Sequence, residues 1–228
     1  MTRLDRTAVA LAAVAVLAAL AGCSTSNQTV SFHYHHRSNA SHAALSQSGY
    51  QTLATRDYVV HREKEVDLGV GTAPVKVKVT NWLSLYEKNA ARSGGGRRTT
   101  GVYVVFSSPT ISSSGTDFNP IGNYSNTQIV TKLRDNMNTV MRGQHMRITE
   151  IHQVGHQRVV LLGQHVQAAE LSAVARTGNA SYPVYIHVAK VKDGGDYVVA
   201  MGFEIKSTAG TDDGNATYRA LTASVRQG

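Results

Sequence analysis

Tyr185-Ile186-His187-Val188-Ala189-Lys190-Val191 and Tyr197-Val198-Val199-Ala200-Met201-Gly202-Phe203 are two β-branched and aromatic runs, separated by Lys192 and the break Asp193-Gly194-Gly195-Asp196. Adjacent glycines supply the positive φ of a tight turn, so this stretch predicts an antiparallel hairpin turning at 193–196. His187 lies between Ile186 and Val188 and so falls on the opposite face from them, together with Tyr185 and Ala189.

Upstream, Val75-Lys76-Val77-Lys78-Val79-Thr80 alternates strictly, with three valines on one face and two lysines on the other. Tyr58 to Val66 precedes it across Gly69, Gly71 and Pro74, which predicts a second hairpin. The pairing runs on through Trp82 to Tyr86, and Trp82, the only tryptophan, is expected in the core. Val102 to Phe106 makes a third strand ending at Pro109, and 107–124 reads as a loop pinned by Phe118 and Pro120. Ser125 then opens a helix over 125–142, with Gln128 as capping-box partner, an apolar stripe from Ile129 to Met141, and Gly143 as the stop. Arg147 to Val154 and Arg158 to Gly163 read as strands around a turn at Gly155-His156, and Ala216 to Arg226 reads as a final helix. The expected fold is α+β: an antiparallel sheet built from hairpins, with two helices packed on it.

The N-terminus has a different texture. Arg3 and Arg6 precede the unbroken apolar run Ala8–Ala21, which closes on Leu20-Ala21-Gly22-Cys23, the site of the only cysteine. A charged start, an apolar core and small residues at the end form a secretory signal. As a helix the apolar run reaches about 21 Å, short of the ~30 Å hydrocarbon layer, so a plain transmembrane anchor is the weaker reading. The tetrapeptide resembles the lipobox of prokaryotic lipoproteins, which implies cleavage between Gly22 and Cys23 and acylation of the Cys23 sulfur. The expected organisation is a signal peptide over 1–22, a flexible Ser/His-rich tether over 23–48 and a single α+β domain over 49–228.

The 228 residues carry a net charge of +8, and most of that excess survives removal of residues 1–22. Such a balance suits anionic lipid or a polyanionic cell-wall polymer. The basic residues are spread along the chain rather than gathered in a stripe, which speaks against a nucleic acid partner. Five Asn-x-Ser/Thr sequons, at Asn27, Asn39, Asn123, Asn179 and Asn215, agree with an exported surface open to glycosylation.

Val79-Thr80-Asn81-Trp82, the Phe118-Asn119-Pro120 loop, the helix 125–142 and the strand pair ending Val198-Val199-Ala200-Met201-Gly202 together resemble an uncharacterised lipoprotein family typical of halophilic archaea. The order of elements from about Tyr58 onward also resembles PsbP-like sandwich domains. The resemblance implies a fold and a tethered location on the cell membrane, facing outside the cytoplasm. It brings no activity.

Four of the ten histidines, His33, His35, His36 and His42, lie in the tether, where His-x-His-His can wrap Cu(II), Ni(II) or Zn(II). No nearby thiolate or carboxylate completes a shell, and a solvated polar arm explains the same residues. The chain has no Gly-x-Ser-x-Gly, His-Glu-x-x-His or Cys-x-x-Cys motif, and Asp212-Asp213 lacks the spacing of an EF-hand. The sequence therefore reads as a non-enzymatic, lipid-anchored binding or accessory module with no cofactor. Its loops at 92–98 and 107–124 would supply the contacts. A metal-binding lipoprotein using the histidine arm is the alternative, and a secreted hydrolase is a third.

Overall fold

The structure, a computed structural model, describes residues 29–67, 72–91, 97–113, 116–117, 119–132, 146–177, 180–206 and 213–228. Its elements in chain order are β1 (Thr29–His33), β2 (Ser38–Asn39), α1 (His42–Gln47), β3 (Tyr50–Asp67), β4 (Thr72–Ala91), β5 (Arg97–Pro109), β6 (Ser112–Ser113) and β7 (Thr116–Asp117). There follow α2 (Pro120–Asn123), α3 over 126–132, β8 (Met146–Leu161), β9 (Gln164–Thr177), β10 (Ala180–Asp193), β11 (Asp196–Ile205), α4 (Asp213–Ala223) and β12 (Arg226–Gln227).

One eight-stranded sheet dominates, in the order β1-β4-β5-β11-β10-β9-β8, with β3 on the other side of β4. The hairpin at 193–196 is its centre: Asp193 pairs with Asp196, and the ladder runs to Val184 opposite Ile205. Gly194 and Gly195 turn it at φ 54° and 86°, angles that side chains with a Cβ rarely adopt. The second hairpin joins β3 to β4 from Asp67 opposite Thr72 down to Tyr50 opposite Lys88.

Five expectations need correction. The sheet is mixed, not antiparallel, because β1 adds parallel to β4, Thr29 beside Lys76 through His33 beside Thr80. The protein is mostly strand with short helices, so the picture of two helices on a hairpin sheet is replaced by a large sheet with small pieces laid on its faces. The flexible tether is also overturned over 29–48: β1, β2 and α1 all lie there, and Tyr34, Ser38, Ala40 and Leu45 are buried. Its polarity misled because the backbone is ordered by pairing with β4 and β12 rather than by its own apolar content. The expected turn at Gly155-His156 is not a turn either. β8 runs straight through it, with register shifts at Thr149/His152 and Gln153/Gly155, and the chain reverses at Leu162-Gly163. The 107–124 stretch is not all loop: it completes β5 and contains the β6–β7 ribbon and α2.

Registers sort the side chains into two faces. One carries Trp82, Ser84 and Tyr86, then Tyr103, Val105 and Ser107, then Val198, Ala200 and Gly202, then His187, Ala189 and Val191. Leu45 of α1 and Tyr218, Leu221 and Val225 around α4 cover it. The other face carries Val104, Val199, Met201, Phe203, Ile186, Val188 and Leu171, and Ile129 and Val130 of α3 lie on it. Fully burying side chains of this kind contributes about 1.5–3 kcal/mol each. The start of α3 follows the expected capping box: Gln128 N–H donates to Ser125 Oγ at 3.2 Å and Ser125 N–H to Gln128 Oε1 at 2.8 Å. The remainder of the predicted helix, from 133 onward, lies outside the described residues.

Candidate functional site

The most elaborate polar site ties the N-terminal segment to the β10–β11 turn. Asp196 is fully buried, yet its carboxylate is saturated. The backbone N–H of His35 reaches Oδ1 and Oδ2 at 3.0 and 2.9 Å, the N–H of His36 reaches Oδ2 at 2.8 Å, and the His35 ring donates from Nδ1 to Oδ1 at 3.0 Å. A carboxylate can only accept here, so Nδ1 carries the proton. The glycine turn makes room: a Cβ on Gly194 would come 2.9 Å from the His36 ring, and one on Gly195 3.1 Å from the His35 ring. Just beyond, Arg37 and Gly228 exchange backbone hydrogen bonds at 3.3 and 2.9 Å, so the C-terminal residues close the same clasp.

The four tether histidines do different jobs. His35 and His36 join the clasp, His33 donates from Nδ1 to the Tyr34 carbonyl at 2.9 Å, and His42 is the exposed first residue of α1. Among the described residues no group of three or more His, Cys, Asp or Glu side chains is placed to hold a metal ion.

The sequons also separate. Asn39 is committed to the fold, its Oδ1 accepting from Ser84 Oγ at 2.6 Å and Trp82 Nε1 at 3.3 Å. Asn123 is exposed at the end of α2, and Asn215 is half-buried in α4. Gly22, Cys23, Asn27, Asn179 and the glycines of the 92–98 loop lie outside the described residues. No helix among the described residues is long and apolar enough to cross a membrane.

Sequence reasoning missed a buried tyrosine network on the clasp-side face. Tyr218 stacks on His187 with ring centroids 4.9 Å apart and meets Tyr103 edge-on at 6.1 Å. Its hydroxyl donates to the Ala200 carbonyl at 3.0 Å, and Tyr103 hydrogen-bonds Thr222 at 3.2 Å. Gly202 permits this, because a Cβ there would stand 2.9 Å from the Tyr218 ring. Burial holds the phenols of Tyr103 and Tyr218 above their ordinary range. Gln157 donates to His187 Nδ1 at 3.0 Å, which fixes the imidazole from the other side. At the sheet's far end Tyr50 donates to Glu204 Oε1 at 3.0 Å, and Lys88 lies 3.7 Å from the same oxygen. Burial first, then the Glu204 charge, raises the Tyr50 phenol as well. Tyr86, Tyr103 and Tyr218 stand on three separate elements, and nothing in a linear pattern says that they meet.

On the opposite face the half-buried Lys190 donates from its ammonium to the carbonyls of Ile121, Gly122 and Tyr124 at 3.0, 2.9 and 2.8 Å. Burial lowers its pKa, and the three carbonyls replace its hydration shell while pinning α2 to the sheet. Asn119 assists: its Oδ1 accepts from Ile121 N–H at 2.9 Å and its amide donates to Ser108 Oγ at 3.0 Å. Beyond α2 and α3, a shallow apolar depression lies where Thr99, Gly101, Ile148, Ala175, Val184 and Phe203 meet. Chemically these arrangements hold and position. The described titratable groups at these sites end in contacts that bind one element to another.

No curated protein matches the chain. The solution structure of cyanobacterial PsbP (CyanoP) from Synechocystis sp. PCC 6803 is similar over 77% of this chain and 93% of that one, at 9% identity and a TM-score of 0.34. Residues 37–226, from the clasp through α4 to β12, match the family described as a domain of unknown function (DUF6517), and the chain belongs to that family.

Proposed function

We propose that the protein is an extracytoplasmic lipoprotein whose folded body serves as a non-catalytic binding or accessory domain at the membrane surface. On this reading the leader is cut between Gly22 and Cys23, and acyl chains on the Cys23 sulfur hold the protein to the lipid. The observation that carries it is a spacing: an apolar run ends in Leu20-Ala21-Gly22-Cys23, and β1 begins at Thr29, only a few residues later. An anchor at Cys23 therefore holds a body, not a long loose arm. The engagement of Asp196, Glu204, Tyr50 and Lys190 in holding the fold together supports a binding role over a catalytic one.

Intact-mass analysis of protein extracted from its own membranes tests the reading. The expected mass is that of residues 23–228 plus acyl groups, and Cys23→Ser is expected to move the protein out of the membrane fraction. A retained leader or an unmodified sulfur overturns it.

A further inference from the structure

The place where the chain enters the sheet, combined with the shortness of the link to Cys23, says which part of the body meets the lipid. β1 is parallel to β4 and starts with Thr29 beside Lys76, so the chain arrives from the side of the β3–β4 turn. Thr29 stands beside Lys76, four positions along β4 from its start at Thr72, and Cys23 is six residues before Thr29. At ~3.4 Å per residue the whole link spans at most about 20 Å. The Asp196 clasp fixes the segment immediately after β1 to the sheet, so the link counts only from Thr29.

The three strands at this end present an unusual surface. Pairing sets Val30 beside Val77, and Phe32 beside Val79, with Val60 of β3 opposite Val79 from the other side. These five apolar side chains share one face and are only half-buried. Ser31, His33, His61 and Lys76 point to the opposite face and are exposed. We infer that this β1–β3–β4 blade is a membrane-docking surface, and that its occupant is the lipid bilayer entered by the Cys23 acyl chains. Weak intrinsic affinity suffices, since a short tether keeps the blade at millimolar effective concentration beside the surface. The inference rests on the lipid anchor proposed above and adds an orientation to it.

The test uses the lipidated full chain, in which the Cys23 sulfur is blocked and a second cysteine can be labelled alone. Val60→Cys places a fluorophore on the apolar face of the blade, and Ser181→Cys places one at an exposed position at the opposite end of the sheet. Each protein is reconstituted in phosphatidylcholine–phosphatidylglycerol vesicles carrying a nitroxide headgroup lipid, after mass analysis has established its acylation. Quenching is expected to be several-fold stronger at position 60 than at 181. An acylated chain with equal or reversed quenching overturns the docking surface and leaves the anchor standing, with a protein, a second copy included, as the remaining cover for the stripe. A chain found unacylated overturns both.

Discussion

The two faces of the central sheet are covered by different means. On the clasp side, Tyr86, Tyr103, Tyr218, His187 and Ser84 are buried together with their hydrogen-bonding groups, and α4 docks through them. On the other side Val104, Met201, Phe203, Ile186 and Leu171 form an apolar surface, and the ammonium of Lys190 beside it is solvated by three carbonyls. An apolar face accepts any cover of suitable shape, whereas a face of buried phenols favours one that returns their hydrogen bonds. The clasp side therefore specifies a unique arrangement, and the apolar side supplies bulk driving force.

Substitutions can break that contrast. Tyr218→Ala is expected to cost the most, about 3–5 kcal/mol, through lost burial and through the Ala200 carbonyl and His187 left behind, whereas Met201→Ala on the apolar side is expected to cost about 2–4 kcal/mol. Urea denaturation of both variants measures the difference, and an equal or reversed order would remove the distinction between the faces. Asp196→Ala comes next, at about 2–4 kcal/mol, because it removes the charged acceptor shared by the N–H groups of His35 and His36. Hydrogen exchange is expected to accelerate first in β1 and β2, ahead of the sheet centre.

The smallest effect per group is a dependence on alkaline pH. The folded phenols of Tyr50, Tyr103 and Tyr218 titrate above their unfolded value near 10, so the unfolded state loses protons first. Their contribution is complete below pH 10 and is lost as pH rises above it, by about 1.4 kcal/mol per pH unit for each tyrosine. Lys190, with its lowered pKa, contributes in the opposite direction, but as one group against three. Tyrosinate absorbance is expected to rise together with unfolding; free titration of these phenols in the folded protein would contradict their burial.

The same contrast explains what could be read from the sequence. Apolar alternation marked the 185–203 hairpin, the valines of β4 and the start of α3, because the apolar side is encoded residue by residue. The parity of His187 was legible, but its contact with Tyr218 was not, since that pair is brought together across 31 positions of chain by Gly202. β9 was hidden because Ala169, Ala173 and Ala175 have little intrinsic preference for strand and are held there by β10 and β8. The ordering of 29–48 was invisible for a related reason: its partners are Lys76 to Thr80, Asp196 and Gly228, all far along the sequence. The clasp was missed with it, although His35 and His36 had been noticed for their nitrogens.

The parallel seating of β1 has a mechanical consequence. A pull on the chain at its N-terminal side acts along the strand axis, so the five residue pairs from Thr29–Lys76 to His33–Thr80 are loaded together in shear rather than peeled one at a time. Behind them the buried Asp196 grips the peptide N–H groups of His35 and His36 like a cleat. Tension applied where the chain enters would thus spread across the broad sheet before any single bond has to yield.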